Sequence, residues 1–199
     1  MRSLNLHVKP RWPRRVGWTL GTIVLLLVVV MLAGPRNAFG PDAPTPRAAP
    51  PGEISLLEGW LKTNEATYAD LRPGVAKQVI WQGQPGQKAP WAVVYLHGFT
   101  ATRLETAPLA ERVAEQLGAS VFYTRLSGHG RSSPQALGEA TAQDWLADTV
   151  EAVRIGRMLG DKVLVIACST GATLATWLAL HPELTGADAY ALVSPNYGP

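Results

Sequence analysis

The amino-acid sequence predicts an α/β fold, in which a mostly parallel sheet carries helices on both faces. From residue 75 onward, apolar strand-like segments alternate with segments of helical periodicity, which is the pattern of βαβ units. The segment "WAVVYL" at 91–96 is apolar without interruption, as expected for a strand that is covered on both faces. The hydrophobic content of 47% and the charged content of 17% are those of a globular chain.

The N-terminal segment predicts attachment to a membrane. Residues 1–15 carry five Lys or Arg side chains and no acid, and residues 16–33 form a run of 18 without a charge. A helix of this length just spans the roughly 30 Å of hydrocarbon in a bilayer. The charge distribution predicts a cytoplasmic tail at 1–15 and a transmembrane anchor at 16–34, with the rest of the chain on the non-cytoplasmic side. A cleaved signal peptide stays open as the alternative, because it shares both features.

A proline-rich linker follows at 35–52, where six prolines disfavour helix and sheet and predict an exposed, semi-rigid spacer. A short amphipathic helix that packs on the domain is expected next, ended by Pro73 and Gly74. Its apolar positions are Ile54, Leu57, Leu61, Tyr68 and Leu71. The domain itself is assigned to residues 53–199.

The alternation within this domain assigns the remaining elements. Strands are predicted at 77–82, 91–96, 119–126, 162–168 and 188–194. Helices are predicted at 105–117, after Thr141, and at 170–180. Thr141 and Asp144 form an acidic variant of the capping box, which marks the start of the second of these helices.

Charge and cysteine content exclude other classes of protein. Beyond the basic tail the chain holds 13 basic and 15 acidic residues, so it has no cationic surface for nucleic acid. Cys168 is the only cysteine, so no disulfide can form within the chain. The histidines lack metal-ligand spacing, and neither a metal nor another cofactor is predicted. They are His7, His97, His129 and His181.

The run "VLVIACSTGATLATW" at 163–177 places Ser169 between a strand and a helix. Ala167 and Gly171, two residues to either side, are small, as a nucleophile elbow requires where neighbouring backbones crowd a strained turn. The helix that starts at Thr170 would direct its N-terminal dipole toward an anion formed at the serine. A plain helix N-cap is the alternative role for Ser169.

Two other loops follow predicted strands. Gly98 would let the chain turn after 91–96 so that the amide of Phe99 faces the site, where it would form a two-donor oxyanion hole with the amide of Thr170. The ring of His97 is expected to hold this loop, and the turn after 119–126 is assigned an architectural role. That turn contains Gly128, His129 and Gly130.

These three loops in this order resemble the α/β-hydrolase superfamily, above all its esterase, monoacylglycerol-lipase and lysophospholipase-like branch. The resemblance covers about residues 75–199. It implies that Ser169 attacks an ester or lipid carbonyl and forms an acyl-enzyme that water cleaves. Cys168 is not expected to be the nucleophile, because a frame centred on it would need a small residue at Ile166. The motifs that carry the resemblance are His97-Gly98-Phe99, Gly128-His129-Gly130-Arg131-Ser132 and Ala167-Cys168-Ser169-Thr170-Gly171.

The resemblance also implies an acid and a histidine after the serine, and this chain supplies neither. His181 stands at the far end of the helix that starts at Thr170, about 16–18 Å away at about 1.5 Å per residue. No carboxylate follows the last predicted strand. The domain is therefore expected to be the C-terminally incomplete part of a longer hydrolase, inactive on its own. A non-catalytic binding protein of the same fold and an acyltransferase are the alternatives.

Overall fold

The computed structural model describes residues 14–33 and 44–197. The chain divides into two compact units, residues 1–39 and 40–199. In the first unit, helix α1 (Arg14–Ala33) contains a segment, Val16–Ala33, that is long and apolar enough to cross a membrane, a criterion that a signal sequence also meets. The predicted tail at 1–13, and the end of the anchor and start of the linker at 34–43, lie outside the described residues.

The second unit is built on a five-stranded sheet, described here for residues 44–197. Its strands are β1 (Gln78–Ile80), β2 (Ala89–Leu96), β3 (Ala119–Tyr123), β4 (Gly160–Cys168) and β5 (Ala189–Val193). They lie in the order β1-β3-β2-β4-β5, and all neighbours are parallel except β1 and β3. The prediction of a mostly parallel sheet is confirmed.

Helices cover both faces of this sheet, as predicted. They are α2 (Leu57–Glu65), α3 (Leu109–Leu117), α4 (Ala136–Glu139), α5 (Ala142–Leu159) and α6 (Thr170–Ala179). Val93 and Tyr95 of β2 pack with α3, whereas Ala92, Val94 and Leu96 belong to the core formed with α2, α5 and α6. Because successive side chains of a strand point to opposite faces, a strand buried on both faces is apolar at every position.

Two helices have different bounds from those predicted. α2 ends at Glu65 because Tyr68 leaves the helix and places its ring over the Arg125 guanidinium at 4.5 Å, and Leu71 instead pairs with Arg131 in an isolated β-bridge. α3 begins only after Pro108, and residues 102–106 form a turn. The capping box at Thr141 is confirmed, with both of its reciprocal hydrogen bonds to Asp144 present.

The end of the proline-rich linker lies against the domain. Residues 44–50 lack regular structure, as their prolines predict. The Thr45 amide donates to the Gln143 carbonyl at 3.1 Å, and the Arg47 guanidinium bonds Asp148 and, at 2.9 Å, the Ser127 hydroxyl. Residues 45 and 47 therefore bond to the rest of the domain, while residues 46–49 are exposed, and the semi-rigid spacer stays a prediction.

Candidate active site

Ser169 occupies a strained turn between β4 and α6. Its backbone has φ 48° and ψ −116°, in a region that L-residues rarely adopt and that costs about 1–3 kcal/mol. Its amide donates to the Val193 carbonyl at 2.9 Å, so the strand ladder holds the turn in place. Backbone strain of this kind persists only where the surrounding structure imposes it, and it is concentrated at functional sites.

The small residues around Ser169 are explained by close backbone approach. A Cβ atom at Gly171 would lie 2.4 Å from the carbonyl oxygen of Leu96 and 2.6 Å from that of His97. Ala167 is fully buried between β2 and β5, paired with Leu96 on one side and Leu192 on the other. The first turn of α6 can therefore meet the end of β2 only if residue 171 is glycine.

The loop after β2 passes directly against the serine. A Cβ atom at Gly98 would lie 3.3 Å from the Cβ of Ser169 and 2.7 Å from Oε1 of Glu105. A side chain at position 98 would therefore push the loop away from Ser169. This contact joins the motif at 97–99 to the motif at 167–171, which are the furthest apart in sequence of the three predicted to build the site.

The backbone amides of the loop after β2 differ in whether they donate a hydrogen bond within the protein. Within the described residues, the Phe99 amide has no hydrogen-bond acceptor. The other three amides of 98–101 donate within the protein: Gly98 to Glu105 Oε2 (2.8 Å), Thr100 to His129 Nε2 (3.1 Å) and Ala101 to the Gly98 carbonyl (3.2 Å). The Phe99 amide is thus left available next to the serine.

The Thr170 amide is available for a different reason. It lies in the first turn of α6, where backbone amides have no intrahelical acceptor, and the first bond of the helix runs from the Thr173 amide to the Ser169 carbonyl at 3.1 Å. Two unpaired amides and the positive end of the α6 dipole therefore flank Ser169 in the described part of the chain. This arrangement can stabilise a negative charge that develops on a substrate oxygen.

His97 and His129 tie the loops together through both of their ring nitrogens. Nε2 of His97 accepts from the Leu126 amide at 3.1 Å, so its Nδ1 carries the proton and donates to the Gly98 carbonyl at 2.9 Å. Nε2 of His129 accepts from the Thr100 amide, and its Nδ1 donates to the Ser127 carbonyl at 3.1 Å.

Burial keeps both of these rings neutral. It lowers the pKa of His97 to about 4, and it also lowers the pKa of His129. Since every ring nitrogen already has a partner, neither histidine is free to take a proton from Ser169. Their geometry suits the loop-holding role expected for them, which stays a prediction.

The turn after β3 depends on its two glycines. Gly128 and Gly130 have φ values of 78° and 72°, in the left-handed region that favours glycine. A Cβ atom at Gly128 would lie 2.5 Å from the Ala136 carbonyl oxygen, and one at Gly130 would lie 2.9 Å from Val75 Cγ2. The turn can therefore bring His129 to the loop after β2 only if residues 128 and 130 are glycine.

Sequence reasoning missed Glu105, which falls at the start of a predicted helix and has no distinguishing pattern. In the structure its Oε2 accepts from the Gly98 amide and, at 3.0 Å, from the Tyr95 hydroxyl. Burial and the neighbouring Glu105 charge raise the pKa of the Cys168 thiol, so the thiol is protonated at neutral pH and is a poor nucleophile. This agrees with the frame of small residues centred on Ser169.

The surroundings of the Ser169 hydroxyl bear on the search for a general base. Among residues 44–197 no side chain forms a hydrogen bond with the Ser169 hydroxyl. His181 is held at the end of α6, where its Nδ1 bonds the Trp177 carbonyl at 2.8 Å and its ring stacks on the indole. The same described residues contain no group of three or more side chains that could ligate a metal.

Known proteins with similar sequences are hydrolases. The profile of the Hydrolase_4 family, described as serine aminopeptidase, S33, matches residues 87–199. A thermostable monoacylglycerol lipase from Bacillus sp. (strain H-257) is 34% identical over 101 residues, which are 50% of this chain and 40% of the lipase. The chain thus spans less than half the length of this relative.

Solved structures give partial matches. One, reported for the metagenome-derived lipolytic enzymes LipS and LipT, is 32% identical with a TM-score of 0.49, covering 57% of this chain and 43% of that one. A bacterial heroin esterase is 20% identical with a TM-score of 0.41, covering 74% and 55%.

Proposed function

This chain belongs to the α/β-hydrolase superfamily, in the family described as serine aminopeptidase S33, and from that premise we propose that the complete protein is a serine hydrolase of carboxylic esters. The observation that carries the proposal is the strained Ser169 flanked by the unpaired amides of Phe99 and Thr170. The similarity to a monoacylglycerol lipase supports a small ester or lipid as the substrate.

In the proposed mechanism, Ser169 Oγ attacks the carbonyl carbon of the ester and its proton passes to a general base. The carbonyl oxygen becomes an oxyanion that accepts hydrogen bonds from the Phe99 and Thr170 amides, each worth on the order of 3 kcal/mol in the transition state. The C–O bond of the ester breaks, the alcohol leaves with a proton, and water then cleaves the acyl-serine.

We place the general base and its partner acid outside this chain. Within residues 44–197 the Ser169 hydroxyl has no side-chain partner, and a serine without a base is a weak nucleophile. The 199-residue chain alone should therefore be inactive. The same observation favours the second candidate, a non-catalytic binding protein of this fold.

Replacing the nucleophile distinguishes the two candidates. In the complete protein, Ser169→Ala should lower p-nitrophenyl ester turnover on the order of 10⁴-fold or more and abolish labelling by an organophosphonate, because acylation requires the hydroxyl. Cys168→Ala serves as the matched control, since it removes the neighbouring nucleophile, and it should leave labelling intact. Undiminished turnover after Ser169→Ala, or wild-type protein that is never labelled, would contradict the hydrolase assignment.

For localisation, we propose that α1 is a membrane anchor with the N-terminus in the cytoplasm. The five cations before the apolar segment disfavour translocation of the tail. A reporter that is active only outside the cytoplasm, fused after Gly52, should be active and should sediment with membranes. Activity only of a cytoplasm-specific reporter would reverse the orientation, and a soluble exported fusion would indicate cleavage.

A further inference from the structure

Glu105 lies in the connection between β2 and α3, and its carboxylate contacts the loop beside Ser169. The turn that carries it is closed by the Glu105 amide, which donates to the Thr102 carbonyl at 3.0 Å. Oε2 of Glu105 accepts from the Gly98 amide at 2.8 Å and from the Tyr95 hydroxyl at 3.0 Å. A Cβ atom at position 98 would meet both Glu105 and Ser169, so the three residues lie close together.

These contacts fix both peptide groups around Gly98. On its N-terminal side, the amide is held by the Glu105 carboxylate. On its C-terminal side, the carbonyl accepts from His97 Nδ1 at 2.9 Å and from the Ala101 amide at 3.2 Å. In a trans peptide the carbonyl and the following N–H point in opposite directions. Holding the Gly98 carbonyl therefore sets the direction of the Phe99 amide.

Glycine makes this arrangement dependent on external contacts. Gly98 has no side chain to restrict its own dihedral angles, so its two peptide planes keep their orientation only through their bonding partners. The bond to Glu105 is the strongest type available, since hydrogen bonds to a carboxylate are about twice as strong as bonds between neutral groups. The fully buried Tyr95 fixes the carboxylate in turn through its hydroxyl.

We propose that Glu105 is a positioning residue for the oxyanion hole: it fixes the peptide plane before Gly98 and so, together with the His97 and Ala101 bonds to the Gly98 carbonyl, keeps the Phe99 amide aimed at the carbonyl oxygen of a substrate bound at Ser169. The inference rests on the proposed function, because a donor needs to be aimed only if Phe99 binds an oxyanion. Glu105 does not act as the base, since Oε2 already accepts two hydrogen bonds and no bond joins its carboxylate to the Ser169 hydroxyl.

Two substitutions in the complete protein separate the hydrogen bond from the charge. Glu105→Ala removes the acceptor and should lower kcat for a short-chain p-nitrophenyl ester about 10- to 100-fold, below the about 10²- to 10³-fold effect of deleting a donor outright. KM should stay within about 3-fold, because the amide acts in the transition state. Glu105→Gln keeps an acceptor oxygen and should recover kcat to within about 5-fold of wild type. Glu115→Ala, at an exposed position of α3, is the matched control and should change neither constant.

The proposal is overturned if Glu105→Ala leaves kcat within about 2-fold of wild type, or if it changes KM alone, which would indicate substrate binding. It is also overturned if Glu105→Gln loses as much activity as Glu105→Ala, because the charge would then be the essential property. Circular dichroism of each variant should match wild type, since Glu105 lies at the surface and its loss should not change the fold.

The only cysteine provides a second readout that needs no catalysis. Burial and the Glu105 charge raise the pKa of Cys168, so removing the charge should shift the pH profile of Cys168 alkylation by iodoacetamide to lower pH in both Glu105 variants. An unshifted profile would mean that the Glu105 carboxylate does not lie beside the turn that carries Cys168 and Ser169, and it would overturn the proposal. A shifted profile with an unimpaired Glu105→Ala enzyme overturns only the positioning role. Wild-type protein that no phosphonate labels overturns the proposed function itself.

Discussion

The turn at Ser169 and the flank of the domain below α2 are held by different kinds of interaction. Around Ser169 the determinants are small residues and backbone hydrogen bonds, with Gly171 two positions from the serine and Gly98 against it. Below α2 they are buried charges from distant parts of the chain. This charged flank comprises Glu65, Arg125, Lys77, Asp148 and Arg47.

The central ion pair of the charged flank is almost inaccessible to water, with Glu65 7% and Arg125 3% exposed. Arg125 donates from Nε and Nη2 to the two carboxylate oxygens of Glu65, each at 2.8 Å, and the Lys77 amide adds a third bond at 3.0 Å. The pair is separated by 60 positions in the sequence. Such a pair is stable only while every charge keeps its partners.

The two regions are linked through the loop after β3, where Arg125 Nη1 donates to the His129 carbonyl at 3.1 Å and where Ser127 makes further bonds. The Ser127 amide donates to Asp148 Oδ2 at 2.6 Å, and Asp148 also binds Arg47. Its carbonyl accepts from His129 Nδ1 and from the Trp145 indole at 2.9 Å. The comparison teaches that a strained turn such as the one at Ser169 can be specified by local sequence, while the loops that support it depend on charge pairs made across the fold.

The largest effect is expected at the turn around Ser169, where close backbone contacts hold the structure. Gly171→Ala places a methyl group 2.4 Å from the Leu96 carbonyl oxygen, and the backbone on either side cannot yield without breaking the β2 and β4 ladders. We expect a loss of about 4 kcal/mol or more in unfolding free energy, or no soluble protein. Gly59→Ala in α2, where nothing lies within 4 Å of the added atom, is the control and should gain about 0.5–1 kcal/mol. Urea denaturation of both variants measures this, and equal stabilities would refute the crowding argument.

The charged flank can be tested by removing one partner and then both. Glu65→Leu leaves Arg125 buried without its counterion and should cost about 3–5 kcal/mol. The double variant Glu65→Leu, Arg125→Met should recover most of this loss, because no unpaired charge remains. A double variant as unstable as the single one would mean that packing, rather than charge, holds this flank together.

Acidification probes the same pair without mutation. Burial alone would raise the pKa of Glu65, but the hydrogen bonds and charge of Arg125 outweigh it and the pKa lies below its ordinary value. A carboxyl with a lowered folded pKa contributes stability above its unfolded pKa of about 4.3 and loses it as the pH falls further. Wild-type unfolding free energy should therefore decline below about pH 4.3, and less steeply in the double variant. Parallel curves would contradict the assignment.

The smallest effect is expected at the linker. Arg47→Ala leaves Asp148 with the Ser127 amide and with Lys77 at 3.8 Å, so the cost should be only about 1–2 kcal/mol. Hydrogen exchange at the Thr45 amide should accelerate, because its bond to Gln143 lies next to the lost contact. Arg72→Ala, at an exposed arginine whose backbone amide makes its one hydrogen bond to the described residues, should leave that exchange unchanged. Equal exchange in both variants would show that Arg47 does not fix the linker.

The difference between contacts local in sequence and contacts made across the fold also explains what could be predicted from the sequence. Strand order along the chain, the Thr141 capping box and the small residues around Ser169 depend on neighbours within a few positions, and the sequence displays them directly. The early end of α2 could not be foreseen, because it follows from the stacking of Tyr68 on Arg125, residues that only the fold brings together. Glu105 was missed for the same reason, since its partner Gly98 belongs to a different element of the predicted fold.

The attachment of the linker at Arg47 also has a mechanical consequence. Thr45 and Arg47 are the first described residues of the linker that form hydrogen bonds with the folded domain. Both bond to residues of α5, Thr45 to Gln143 and Arg47 to Asp148. Tension along the linker would enter the domain through this helix, as shear on the Arg47 contact, before any load reached the edge strand β1. The Thr45 bond to Gln143 would be the first mechanical link of the domain and the Arg47 ion pair to Asp148 the second, and Ser127 would carry the remaining force toward the loop that supports Phe99.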